Sequence, residues 1–290
     1  MIRSLFTMAL LATLGSVEVL AQTAQAQAAS TPGTVTFRSR DNATQLTGYV
    51  FRPAGDGPFP AIVMLHGRSG PYSSAANGRH DATTLSQRHL AWGRFWAGRG
   101  VLALHVDSFG PRGHPTGFAR GTYANRPESV SEQRVRPLDA YGALDWLRMR
   151  PDVDPARIGV QGWSNGAMTI LAALGPDAPG LQDPRTGFRA ALALYPGCAI
   201  QQKEPAYRPY APLLMLIAGA DEEVSPARCI DLARVVRERG GPMEGVVYEG
   251  AVHAYDEPGR TRQSHPPNRA ATEDSYRRAA AFFSTHLAPK

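Results

Sequence analysis

The chain has 290 residues, 43% of them hydrophobic and 19% charged, with a net charge of +6. So large an apolar share with so small a charge imbalance excludes a disordered chain, and no glycine period, heptad run or biased tract suggests a fibre. The basic residues are scattered rather than gathered in a stripe, which reads as a solvated surface and not as a nucleic-acid site.

Met1-Ile2-Arg3 is short and positive, and Leu5 to Leu20 is mostly apolar. Ala24-Gln25-Ala26 and Ala26-Gln27-Ala28 then offer small residues where a signal peptidase reads. Residues 1–28 are therefore expected to be a cleaved signal peptide, leaving one domain over 31–290, periplasmic or secreted. The apolar run is short for the ~20 residues of a membrane span, and Glu18 interrupts its end. No later segment has spanning length, so none is expected to cross a membrane after cleavage. Export makes Cys198 and Cys229 candidates for a disulfide, with two buried free thiols as the alternative. Two cysteines without clustered histidines do not make a zinc site, and nothing calls for a metal or organic cofactor.

Thr34 to Ser39 and Gln45 to Phe51 alternate around the polar turn Asp41-Asn42, which predicts an antiparallel pair. Six short apolar runs follow: Ala61 to Leu65, Val101 to His105, Ile158 to Gln161, Ala190 to Leu194, Leu213 to Ile217 and Val246 to Tyr248. Uninterrupted runs of this length suit parallel strands covered on both faces. Helical spacing appears over Leu85 to Gly98, Val135 to Arg148, Ala167 to Leu174, Pro226 to Arg239 and Ala270 to Leu287. Strand and helix alternate, so one α/β domain is expected, with a mainly parallel sheet of about eight strands flanked by helices. Two irregular inserts, Pro111 to Pro127 and Gly175 to Phe188, are candidate ligand loops, since such folds bind at the carboxyl ends of strands.

Gly162-Trp163-Ser164-Asn165-Gly166 lies between a strand and a helix. Gly-x-Ser-x-Gly in that setting is a nucleophile elbow: a tight turn that lifts a serine hydroxyl above the sheet. A serine needs a base in reach, and the base needs an orienting acid. Asp221 lies just past the Leu213–Ile217 run in Ala218-Gly219-Ala220-Asp221, with Glu222 and Glu223 as competitors. His253 lies after the last run, whereas His265 and His286 do not follow strands and the remaining histidines precede the serine. The oxyanion of acyl transfer needs preplaced donors. The candidates are the backbone N–H of Asn165, directly after the serine, and that of Arg68 in the His66-Gly67-Arg68 turn.

These stretches, with His253-Ala254-Tyr255, resemble the dienelactone hydrolase family of α/β-hydrolases over roughly residues 34–287. The spacings of 57 residues from Ser164 to Asp221 and 32 from Asp221 to His253 suit that compact family. Val106-Asp107-Ser108-Phe109-Gly110-Pro111-Arg112-Gly113 resembles its exported members. The resemblance implies an α/β-hydrolase fold and hydrolysis of a small ester or lactone. It departs at two places: the founding enzymes use cysteine where Ser164 stands, and glutamate where Gly67 stands. Tyr72, Phe109, Arg112 and Trp163 are expected to border the pocket. Arg112 either pairs with a substrate carboxylate or holds its own loop, and Tyr72 and Phe109 are alternatively loop core. A serine peptidase-like hydrolase and a non-catalytic binding protein on the same fold are the alternative functions.

Overall fold

A computed structural model describes residues 31–181 and 183–289. The expected signal peptide, 1–28, lies outside the described residues. Eight strands form one sheet in the order β1-β2-β4-β3-β5-β6-β7-β8. β1 (Gly33–Arg38) and β2 (Gln45–Phe51) are antiparallel, and β2 is antiparallel to β4 (Leu102–Asp107). β3 (Phe59–Leu65), β4, β5 (Val153–Trp163), β6 (Ala191–Leu194), β7 (Leu213–Ala218) and β8 (Met243–Tyr248) run parallel. The helices are α1 (Gln87–Ala97), α2 (Arg136–Arg148), α3 (Asn165–Leu174), α4 (Pro226–Glu238), α5 (Arg260–Gln263) and α6 (Pro266–His286).

Successive strand residues point to opposite faces, and β3 shows the consequence. Val63 and Leu65 join a core with Leu144 of α2, Ile170 of α3 and Leu232 of α4. Ile62 and Met64 join the other core, with Trp92 and Trp96 of α1 and Phe283 of α6. Burial on both faces is why the inner strands read as unbroken apolar runs. Where burial fails, the reading falls short. β5 begins at Val153, five residues before its apolar run, because Asp154 to Arg157 extend the strand partly in solvent. β8 begins at Met243 for the same reason, with Glu244 and Gly245 exposed at the sheet edge. α6 begins at Pro266, in a first turn where proline's missing N–H costs nothing.

The chain leaves β3 to form β4 on one side and returns to form β5 on the other. That reversal opens a crevice beyond the carboxyl ends of β3 and β5. The 111–127 insert follows β4 and reaches this crevice. The 175–188 insert does not, because it joins α3 to β6 and so lies at the amino ends of the strands. There Pro184, Arg185 and Phe188 border a separate cavity with Arg157 and Arg189.

Cys198, just past β6, is bonded to Cys229 in α4, with their Cα atoms 5.1 Å apart. The bridge closes a sequence separation of 31 residues, which in the chain-entropy account stabilises by about 3–4 kcal/mol. Replacing both cysteines by serine should lower Tm by roughly 6–12 °C. Thermal unfolding with and without dithiothreitol checks this: the reductant should destabilise the native chain and leave the variant unchanged.

Candidate active site

β5 ends at Trp163 and α3 begins at Asn165, so the chain turns from strand to helix on Ser164 alone. Ser164 takes φ 50° and ψ −112°, a conformation that costs a non-glycine residue about 1–3 kcal/mol. Its N–H donates to Leu194 O of β6 at 2.9 Å. The glycines are there for space. A Cβ on Gly166 would lie 2.1 Å from Leu65 O of β3, and one on Gly162 would lie 2.6 Å from the Gly166 carbonyl carbon. Helix and sheet meet this closely only without side chains.

Ser164 Oγ lies 2.9 Å from His253 Nε2, and His253 Nδ1 lies 2.7 Å from Asp221 Oδ2. The other Asp221 oxygen accepts the N–H groups of Glu223 and Val224, at 2.8 and 2.9 Å. Against a carboxylate acceptor Nδ1 carries the hydrogen, which leaves Nε2 to accept from the serine. The His253 backbone N–H donates to Glu222 Oε2 at 2.9 Å, and the ring stands edge-on to Tyr195 with centroids 5.0 Å apart. A hydroxyl, an imidazole and a carboxylate in this order are what nucleophilic acyl transfer requires.

Arg68 and Asn165 line the same cavity as Ser164. Among the described residues, the backbone N–H of neither has an acceptor. The two turns that carry them are held together by Arg136, buried in α2. Its Nη2 donates to His66 O at 2.8 Å and its Nη1 to Asn165 Oδ1. Burial pulls the guanidinium down to about 10, so it stays charged at neutral pH. Asn165 Nδ2 in turn donates to Glu132 Oε2 at 3.0 Å. His66 is held well below the ordinary histidine range, chiefly by burial. Its Nε2 accepts the Ser108 N–H at 3.2 Å, so its Nδ1–H donates to Gly67 O at 2.7 Å.

The cavity has a volume of about 510 Å³. Met168, Cys198, Ile200 and Val224 make its apolar wall, and Arg120, Tyr123 and Arg126 of the 111–127 insert reach it from the other side. None of the four residues expected to border the pocket lines it. Trp163 is fully buried beneath the elbow, and Phe109 packs edge-on to the His66 ring at 4.5 Å. Tyr72 donates to Asp107 at 2.9 Å inside the fold. Arg112 is engaged by Asp139 and Asp41 at 2.7 and 2.9 Å and by Ser108 O, so it holds its own loop. The family-like stretch Val106 to Gly113 therefore lies under the site, and the guanidinium groups that this insert brings to the cavity are those of Arg120 and of Arg126, fourteen positions past Arg112. Nothing in local pattern separates Arg112 from Arg126; buried acid partners claim the first and not the second.

Asp256 was not legible as a site residue either. It is buried three residues past His253 and collects donors from three elements. Trp92 Nε1 of α1 and Trp163 Nε1 each donate to Oδ2 at 2.9 Å, and the Tyr195 hydroxyl donates to Oδ1 at 2.6 Å. Arg88 Nη1 lies 3.8 Å from Oδ1. One carboxylate thus ties the base loop to the elbow and to the ring that packs on His253. Asp256→Ala should cost about 3–5 kcal/mol in urea unfolding, because buried donors and a cation lose their acceptor. The folded fraction should also show reduced turnover, since His253 loses its anchor.

The model of the dienelactone hydrolase family matches residues 46–287. A candidate carboxymethylenebutenolidase of Aquifex aeolicus is 23% identical over 255 residues, covering 85% of this chain and 96% of that one. The crystal structure of a candidate dienelactone hydrolase from Klebsiella pneumoniae superposes with a TM-score of 0.64 at 19% identity, covering 87% of this chain and 99% of that one. Esterase 2 of Thermogutta terrifontis, phosphonylated by cyclosarin, gives 0.61 at 21% identity, covering 90% and 98%. The eight-stranded order, the strained serine turn and the family match agree: the chain belongs to the dienelactone hydrolase family and is a carboxylic ester hydrolase of the α/β-hydrolase fold.

Proposed function

We propose that the chain hydrolyses a small ester or lactone through an acyl-enzyme on Ser164. As Ser164 Oγ bonds to the carbonyl carbon, His253 Nε2 takes its proton, and Asp221 orients the ring and balances the imidazolium. The N–H groups of Arg68 and Asn165 receive the oxyanion. The tetrahedral intermediate then breaks its bond to the alcohol oxygen, which leaves with the proton from Nε2. Water, deprotonated by the same nitrogen, attacks the acyl carbon and releases the acid and free Ser164. The observation that carries this reading is the hydrogen-bonded chain of 2.7 and 2.9 Å that ends on Ser164, which lines the cavity. A cavity of about 510 Å³ suits a small substrate. An exported location rests on the N-terminal pattern and the bonded cysteines.

The rim favours an ester that carries a carboxylate. The Arg126 guanidinium lies 5.3 Å over the Tyr123 ring and 5.6 Å over the Phe118 ring. Its Nε is buried without an acceptor, and burial lowers its pKa, the mark of a cation short of an anion.

Hydrolysis of p-nitrophenyl esters from acetate to octanoate tests the reaction. Activity should be highest on short chains and disappear in Ser164→Ala. Cleavage of short peptides without esters would point to a peptidase, and a folded but inert native chain to a binding protein. Arg126→Gln should raise KM about tenfold for a monoester of a dicarboxylic acid, near 1.4 kcal/mol, and leave KM for the neutral acetate unchanged.

A further inference from the structure

Two charged side chains pair beside His253, one of them facing the ring nitrogen that takes up the proton, and the reaction uses neither side chain. Glu223 lies two residues past Asp221. Its N–H helps fix the Asp221 carboxylate, while its side chain turns back toward the base. Glu223 Oε2 lies 3.8 Å from His253 Nε2. That is too far for a hydrogen bond and near enough for a strong charge interaction in a partly buried site. The same carboxylate is gripped in a bidentate pair by Arg68, with Nε to Oε2 and Nη2 to Oε1 both at 2.9 Å. Arg68 Nη1 also donates to Phe118 O at 3.1 Å. Arg68 thus presents its backbone N–H to the oxyanion position and its guanidinium to Glu223.

Resting on the serine-hydrolase reading above, we propose that Glu223 is a positioning residue that stabilises the imidazolium on His253, with Arg68 setting how much of its charge His253 feels. The proton still moves only between Ser164 Oγ, His253 Nε2 and the leaving oxygen; Glu223 accepts none. Its carboxylate is held below the ordinary glutamate range, first by the hydrogen bonds from Arg68, so it stays ionised. The bidentate pair also joins the turn after β3 to the turn after β7, the two turns that carry the oxyanion donor and the acid. The other groups facing His253 are constant in this account. Asp221 and Glu222 come from the turn after β7, Ser164 from the elbow, Tyr195 from the end of β6, and Arg120 approaches Glu223 from the insert. Asp256 and Arg88 lie behind Tyr195.

This arrangement gives the two partners opposite effects. Removing the negative charge makes the imidazolium harder to form, so activity persists to lower pH while the plateau rate falls. Removing the guanidinium leaves Glu223 unbalanced, so the imidazolium forms more readily and activity is lost at higher pH. A pair that only braced two turns would lower the rate in both variants without moving the profile in opposite directions.

The test is the pH profile of kcat/KM on p-nitrophenyl acetate for the native chain, Glu223→Gln, Arg68→Gln (which keeps the backbone N–H) and Glu223→Asp. The acid limb should move down by about half a pH unit in Glu223→Gln and up by a similar amount in Arg68→Gln. At the plateau, Glu223→Gln should lose about threefold in kcat, the factor that half a pH unit corresponds to, with KM within about twofold, and Glu223→Asp should recover part of the loss. Limbs that stay at the native position, or move the same way in both variants, overturn the proposal. If Glu223→Gln does not fold, the Arg68→Gln limb decides alone: an upward shift supports the proposal and an unmoved limb overturns it. Ser164→Ala separates the two levels. Residual activity there sinks the serine reading itself, whereas a dead Ser164→Ala with unmoved limbs sinks only the role of Glu223.

Discussion

The position of Ser164, on which the rest of the site converges, is set by one close approach, the contact of the first turn of α3 with the end of β3. Gly166 sits where a Cβ would meet Leu65 O at 2.1 Å. Because the helix can descend that far, the turn between β5 and α3 shrinks to Ser164 and forces its backbone to φ 50°. The hydroxyl then stands over the crevice at the point where the strand order reverses, and Asn165 lines the same cavity as Arg68. The strain is held by the packing of two sheet-covering cores rather than by the turn itself.

Buried charge does the remaining alignment. Arg136 binds the carbonyl of His66 and the side chain of Asn165, so one cation joins the turn after β3 to the elbow. Asp256 does the matching task for the base, gathering Trp92, Trp163 and Tyr195 beneath the His253 loop. Each of these groups is expensive to bury without hydrogen bonds, and each bonds to elements far apart in the chain.

The arginines in and around the site differ by partner. Arg68 is neutralised by Glu223 and Arg112 by Asp139 and Asp41, whereas Arg126 rests on aromatic faces. A paired guanidinium braces a loop, whereas that of Arg126 lies over two rings with its Nε lacking an acceptor, so residues of one type in one insert have different surroundings.

The sequence by itself determined the α/β alternation, the sheet of eight strands, the elbow, and the order serine, acid, histidine. These are local signals: apolar runs of strand length, Gly-x-Ser-x-Gly, and single residues just past strand ends. It also restricted the acid to three neighbours, Asp221, Glu222 and Glu223, which the fold then sorted. Asp221 meets the imidazole, Glu222 caps the His253 N–H, and Glu223 turns to Arg68. Only the tertiary structure decided the pocket wall. Tyr72, Phe109, Arg112 and Trp163 were reasonable from their positions and are all taken up by the interior. The reason is physical: a strand or a turn is specified by its own few residues, while whether a side chain faces a cavity depends on partners from other elements that no window of sequence contains.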